Sequence, residues 1–190
     1  PAEALPLIEG LASGLDHAHS KNLVHRDLKP SNVMLDPQPD GSFVAKLADF
    51  GIAAEVTNYR TRQTGAVPAG TLAYMSPEQL ACQKLDARAD VYSLGATLYQ
   101  MLTLSPPYVG GDIAWAIRNE PVPEPAGVPA PVIAVLYSAL AKKPDARPST
   151  AGELADNKSP PGSPGGPAKP GLATSEDGSS PLTMRKFRSG

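Results

Sequence analysis

The sequence predicts a mainly α fold: a helical bundle with one small β-hairpin near its start and a disordered tail at its end. Three observations carry this. Apolar residues recur at helical spacing in separate stretches, among them Leu7, Ile8, Leu11, Leu15 and Ala18, then Val91, Leu94, Leu98, Met101 and Leu102. The turn-rich run Asp36-Pro37-Gln38-Pro39-Asp40-Gly41-Ser42 separates two short apolar strands. From Asp156 onward Pro, Gly and Ser supply 18 of 35 residues, which leaves too little apolar surface to fold alone. The folded part is therefore expected over 1–155 and the tail over 156–190.

Composition narrows the classes. A chain of 190 residues, 41% of them apolar, is long enough for one core, and a net charge of -2 offers no basic footprint for nucleic acid. The one cysteine, Cys82, cannot form an internal disulfide, which fits a reducing cytosol, and it reads as a small buried apolar residue. No leader pattern opens the chain, and no apolar run reaches the ~20 residues of a spanning helix. The longest candidate, Val128 to Ala141, carries Pro129 and Pro131. The first residue is Pro1, so the chain reads as a piece of something longer or a processed product.

Taken in order, the first helix runs through about Ser20, with Lys21-Asn22 as its stop. His17 and His19 lie two apart on it and face different sides, so they cannot share a metal; they read as solvent-facing or packed histidines. Leu23-Val24 reads as a short buried strand leading to the loop His25-Arg26-Asp27-Leu28-Lys29-Pro30-Ser31-Asn32, whose proline keeps it out of a helix interior. Asn32 to Leu35 and Phe43 to Leu47 then form the hairpin, which returns Asp49 beside Asn32. Thr57 to Gly65 is polar and without periodicity, as a mobile loop would be.

Ser76-Pro77-Glu78-Gln79 is a capping box with Pro at the first helical position. Asp90 opens a helix to about Leu104 that is apolar nearly all round, which places it in the middle of a helical core. Ser105-Pro106-Pro107-Tyr108 ends it. Asp112 to Asn119 reads as a short helix, followed by a proline-rich connector and a helical face of Val132, Ile133, Leu136 and Leu140. Thr150-Ala151-Gly152-Glu153 reads as a second capping box at the start of a last, short helix. Met184-Arg185-Lys186-Phe187-Arg188 is a small basic end, read as a solvated tail.

The chemistry concentrates in the loop and just after the hairpin. A phosphoryl transfer centre needs a carboxylate to orient a hydroxyl, oxygen ligands for Mg²⁺ and a cation for the migrating phosphoryl group; Asp27, Asn32 with Asp49, and Lys29 are residues of those types. The loop, Asp49-Phe50-Gly51, Gly70-Thr71, Ser76-Pro77-Glu78, Asp90 and Arg147 occur in a fixed order. In this the chain resembles protein kinases, over roughly residues 1 to 155 and for the C-terminal lobe only. Ala48-Asp49-Phe50-Gly51-Ile52-Ala53 and Ser76-Pro77-Glu78-Gln79 are most similar to the eukaryotic-like Ser/Thr kinases of bacteria. Ser76 stands where that family usually has alanine.

The resemblance implies roles. Asp27 is the catalytic base, Lys29 meets the γ-phosphate, and Thr71 bonds to both and shapes the acceptor site for Ser/Thr rather than Tyr. Asn32 and Asp49 hold the metal, and with Lys29 and Met34 they bind the nucleotide. Met34 lies under the adenine ring, a role compatible with its also being ordinary hairpin core. Arg26 pairs with a phosphate on the loop, for which Thr64, then Thr61, are the acceptors; alternatively these are plain exposed hydroxyls. His25, Phe50, Glu78, Asp90 and Arg147 are structural, with Arg147 paired to Glu78 and Asp90 either anchoring the loop backbone or only capping its helix. The implied cofactors are ATP and Mg²⁺, and the implied partners are proteins with Ser/Thr acceptors and a kinase N-lobe; the catalytic part is expected in the cytoplasm, with tethering to a membrane through a downstream segment left open. No Gly-rich phosphate loop, strand lysine or helix glutamate of an N-lobe is found in these residues. Three functions are therefore carried forward: a Ser/Thr kinase represented by its C-lobe, a non-catalytic scaffold lobe, and a truncated product inactive by itself.

Overall fold

A computed structural model describes residues 4–50 and 69–156. About half of it is helical, with one two-stranded sheet. Helix α1 spans Ala4–Ser20 and buries Leu11, Ala12, Leu15 and Ala18, the three-and-four spacing read from the sequence. Asn22 stops it in the left-handed region, at φ 59°, while Leu23 N–H bonds back to Ala18 O at 3.0 Å.

Leu23-Val24 forms no strand, contrary to expectation. Leu23 is 46% exposed, and the loop behind it sends its backbone N–H groups to a side chain, Asp90, instead of to a neighbouring strand. A 3-10 turn over Pro30–Asn32 then leads into the hairpin, β1 Val33–Pro37 and β2 Phe43–Leu47, paired antiparallel from Val33 with Leu47 to Pro37 with Phe43. The spacer closes on itself: Asp40 Oδ1 accepts from Ser42 N and Oγ, and Gly41 takes φ 83° where a side chain would be strained. β2 lies against α1 with Ala45 buried between them.

After a helical turn α2, Ala69–Leu72, comes α3, Pro77–Leu80, with the Ser76/Gln79 capping box formed in both directions. Cys82 follows at φ 51° and is exposed, not the buried apolar residue expected; it ends a helix of four residues that is too short to carry it inward. α4 spans Ala87–Thr103 and begins earlier than the sequence suggested, because Asp86 and not Asp90 is its N-cap, accepting from Arg88 N at 2.9 Å. Every residue from Ala89 to Tyr99 is buried. Its buried hydroxyls donate to backbone carbonyls, Thr97 Oγ1 to Ser93 O at 2.8 Å and Ser93 Oγ to Tyr74 O at 2.8 Å.

α5, Ile113–Asn119, is capped by Asp112, and its last carbonyls receive Lys142 Nζ, 2.6 Å from Ile117 O. α6, Ala130–Ala139, packs on α4 so closely that a Cβ at Gly95 would come within 2.6 Å of the Ala139 methyl. A 3-10 turn over Pro144–Ala146 precedes α7, Ala151–Ala155, which rests on α1 and α4. The box expected there is only half formed: Thr150 Oγ1 accepts from Glu153 N, but the Glu153 carboxylate reaches Ser149 N rather than Thr150 N. Among the described residues no helix is long and apolar enough to cross a membrane.

Candidate active site

The loop after α1 is organised by Asp90, which α4 holds at 0% exposure. Its Oδ2 accepts His25 N–H at 2.7 Å and its Oδ1 accepts Arg26 N–H at 2.8 Å. Between those two bonds and Gln79, whose side-chain nitrogen donates to Arg26 O at 2.7 Å, Arg26 is held at φ 66°. A non-glycine residue in this region costs roughly 1–3 kcal/mol, so the surrounding bonds must outweigh it.

His25 is fully buried and joins the loop to the end of the hairpin. Its Nε2 lies 3.0 Å from Ala48 O, and because a carbonyl only accepts, Nε2 carries the proton and Nδ1 faces Asp27 N–H at 3.4 Å. The ring also packs on Phe50, centroids 4.7 Å apart. Ala48 N–H bonds to Asn32 O at 2.9 Å, so the ladder runs one rung past the hairpin and Asp49 follows the residue that faces Asn32. Asp49 is exposed and takes φ 57°, a conformation that Asp tolerates better than most side chains.

The polar groups converge on Asp27. Lys29 Nζ donates to Asp27 Oδ2 at 2.9 Å and Oδ1 at 3.2 Å, and to Thr71 Oγ1 at 3.0 Å. Asn32 Nδ2 donates to Asp27 O at 2.8 Å and Oδ2 at 3.2 Å. The carboxylate is thus oriented by an ammonium and an amide while a fifth of it stays open to solvent. Thr71 arrives on α2, a turn the sequence did not announce. Asn32 Oδ1 and the Asp49 carboxylate are hard oxygen donors of the kind Mg²⁺ takes. Among the described residues no three His, Cys, Asp or Glu gather into a metal cage, so a cation held here needs further oxygens from phosphate and water.

Other candidates lie apart. Met34 is 61% exposed on β1, which removes the hairpin-core reading and leaves an open apolar surface; Leu35, Phe43 and Val44 are exposed beside it. Thr61 and Thr64 lie outside the described residues. Arg26 sits next to the loop carboxylate, and its Nε is buried without a hydrogen-bond partner among the described residues. Glu78 and Arg147 meet below the loop, Nη1 on Oε1 at 2.6 Å and Nη2 on Oε2 at 2.8 Å. Burial works to raise the Glu78 carboxyl, yet the hydrogen bonds and charge of Arg147 prevail and hold it below the usual carboxylate range.

Two participants escaped sequence reasoning. Gln79 is visible as the end of a capping box, but nothing local indicates that its amide also reaches Arg26 O. His19 reads as a packed histidine, whereas its Nε2 stands 2.7 Å from Asp90 Oδ2.

The chain was compared with known proteins. The protein kinase domain family matches residues 1–158. The serine/threonine-protein kinase PknB of Mycolicibacterium smegmatis is 40% identical over 163 residues, covering 81% of this chain and 25% of PknB. PknB of Mycobacterium leprae is 35% identical over 161 residues, with the same coverage of 81% and 25%. The chain therefore spans about a quarter of the length of these relatives. Among solved structures, a mutant PknI kinase domain of Mycobacterium tuberculosis superposes with a TM-score of 0.59 at 30% identity, over 82% of this chain and 53% of that one. This chain belongs to the protein kinase family, in the branch of bacterial eukaryotic-like serine/threonine kinases.

Proposed function

We propose that residues 1–155 are the C-terminal lobe of an ATP- and Mg²⁺-dependent kinase that phosphorylates Ser/Thr hydroxyls of proteins, and that 156–190 is a tail. The observation that carries this reading is Lys29 Nζ, placed between the Asp27 carboxylate and the Thr71 hydroxyl. A small hydroxyl brought to Asp27 would meet a carboxylate already oriented by Lys29 and Asn32, with Thr71 closing the side wall. Asp27 orients that hydroxyl and takes its proton as the oxygen bonds to the γ-phosphorus and the bond to the departing ADP oxygen breaks. Lys29 offers positive charge where the transferred oxygens gather. Asn32 and Asp49 would hold Mg²⁺, and Met34 gives the adenine an apolar floor. When bound, the metal supplies charge neutralisation on the phosphate oxygens.

The Gly-rich loop and strand lysine belong to an upper lobe, which we propose completes the site and covers the exposed Met34, Leu35, Phe43 and Val44. Use of ATP assigns the catalytic part to the cytoplasm in this reading. The test is phosphotransfer by residues 1–190 alone and by the same residues joined to a PknB upper lobe, each beside its Asp27→Asn variant. The expected result is no measurable transfer alone, because only one wall of the site exists, and Asp27-dependent transfer by the joined protein. Absence of transfer from a folded, ATP-binding joined protein favours a scaffold lobe and rejects the reading.

A further inference from the structure

We propose that the apolar cavity among α1, α4, α6 and α7 is the seat of a segment of this same chain, residues 182–188. The segment enters with Leu182 and Met184 and sets its basic residues against an acidic rim. The proposal goes beyond the kinase reading and needs no phosphotransfer.

The cavity measures about 180 Å³ and every residue lining it is apolar. Ile8 comes from α1, Leu98 and Leu102 from α4, Val132 and Val135 from α6, and Leu154 from α7. Aliphatic walls offer water no hydrogen-bond partner, and ~150 Å³ of such space already takes up a benzene-sized molecule. Filling it with side chains removes apolar surface from water and restores the contacts of a packed interior. Val132 is 37% exposed, so an occupant can enter beside α6.

The sequence next to the cavity does not fill it. α7 ends at Ala155, itself part of the lining, and Asn157-Lys158-Ser159-Pro160-Pro161 brings only polar groups and two prolines. Over 157–181 the one large aliphatic or aromatic residue is Leu172. Three then come within six positions, Leu182, Met184 and Phe187. Leu182 and Met184 stand two apart, so extended backbone turns both to one side, and methionine adapts to irregular space. The connecting stretch 157–181 is long enough: a chain of its length spans roughly 25–30 Å on average. Attachment keeps the segment at an effective concentration on the order of millimolar.

Charge favours this occupant over a neutral one. Glu9 stands beside Ile8 on α1 and Glu153 beside Leu154 on α7, and Asp156 follows that helix. The only Lys or Arg on the four lining helices is Arg88, at the opposite end of α4 from Leu98 and Leu102. Residues 178–190 carry Arg185, Lys186 and Arg188 and no Asp or Glu. Pairs of this kind at a solvated rim are individually weak, so they orient the segment while the apolar residues hold it. The basic end that the sequence alone reads as solvated thereby acquires a place in the fold.

The experiment is methyl NMR of the 190-residue chain labelled at Ile, Leu, Val and Met. The Met184 methyl should show cross-relaxation to the Val132 and Val135 methyls, unchanged on dilution. Leu182→Asp should weaken those cross-peaks by about tenfold or more and shift the Val132, Val135 and Leu98 methyls, while the buried Leu28 and Leu94 stay in place. Val132→Arg, at a partly exposed position that tolerates a longer side chain, should bring Met184 to the same chemical shift as Leu182→Asp does. Arg185→Glu with Lys186→Glu should weaken the contacts by about threefold. A Met184 methyl without contacts to α6, or cavity methyls unmoved by Leu182→Asp, overturns the proposal. Contacts found only between separately labelled chains assign the cavity to a second copy and also overturn it. Cavity methyls that respond to octanoate but not to Leu182→Asp assign it to a free apolar ligand, with the same consequence.

Discussion

Arg147 and Glu78 are 69 residues apart in sequence and joined by two parallel hydrogen bonds in the interior, with the arginine side chain at 0% exposure and the glutamate at 6%. The guanidinium uses its remaining donors on the carbonyls of Ala141, Arg88 and Lys142, and its Cζ lies over the Tyr92 ring, 4.9 Å from the centre. One side chain thereby fastens α3, the start of α4 and the turn before α7. Because α3 also carries Gln79, this pair holds the element that supports Arg26 from below.

Arg147→Ala should behave as a folding defect. Removing one partner of a buried ion pair strands the other charge, at a cost of ~3–5 kcal/mol. Thermal unfolding of the 190-residue chain measures it, and an unchanged midpoint rejects the role assigned to the pair.

The same pair makes stability depend on acid. The folded-state pKa of Glu78 lies below its unfolded value of about 4.3, so its contribution is present above that pH and is lost as pH falls through the folded pKa. The stability difference between the native chain and Glu78→Gln, read from urea midpoints, should therefore be constant near neutrality and shrink below about pH 4.3. A difference that grows on acidification contradicts the sign.

Gly95→Ala should destabilise despite its better helix propensity. The new methyl meets the Ala139 methyl at 2.6 Å, where two buried helices leave no room to move, and overpacking of this kind costs ~1–3 kcal/mol. A second substitution, Ala139→Gly, should recover part of the loss, because it removes the opposing atom. Denaturant unfolding of the single and double variants is the measurement.

In the protein joined to an upper lobe, Asp27→Asn should leave nucleotide binding nearly intact and remove most phosphotransfer, since the carboxylate acts on the acceptor hydroxyl. Asp49→Asn should instead weaken binding of the Mg²⁺-nucleotide, seen by titration with and without the metal. Full activity of the Asp27→Asn protein would sink the assignment.

By its resemblance to kinases, Arg26 is expected to pair with a phosphate on Thr64 or Thr61, which lie outside the described residues. Its buried Nε without a hydrogen-bond partner among the described residues suits an anion better than a neutral group. Thr64, or else Thr61, should carry phosphate in the active joined protein, as mass spectrometry would reveal. Unchanged activity of a Thr61→Ala, Thr64→Ala double variant with no phosphate in this segment removes the idea.

Local features were legible where a few neighbouring residues suffice to form them. The hairpin followed from a Pro/Gly/Asp spacer between two apolar runs; its second strand has the expected bounds, and the first starts one residue later and ends two residues later than expected. The Ser76 capping box was legible because its four residues satisfy one another. Leu23-Val24 misled because apolar residues before a loop look like a strand unless one knows that a buried aspartate from elsewhere takes the loop's N–H groups. Cys82 and the start of α4 misled for a related reason: exposure and helix onset were decided by Asp86 and by what α4 packs against, not by the residues themselves.

By itself the sequence determined which reactive groups exist and how closely they can be gathered. Asp27, Lys29 and Asn32 lie within six residues, and a hairpin of fixed register returns Asp49 to Asn32, so short-range geometry alone assembles most of the candidate site. Only the tertiary structure decided how that site is held. The placement of Thr71 against Lys29, of Gln79 under Arg26 and of His19 beside Asp90 spans 42 to 71 residues of chain. Hydrophobic packing around α4 sets those distances, and packing is a sum over many weak, non-directional contacts that leaves no motif in the sequence.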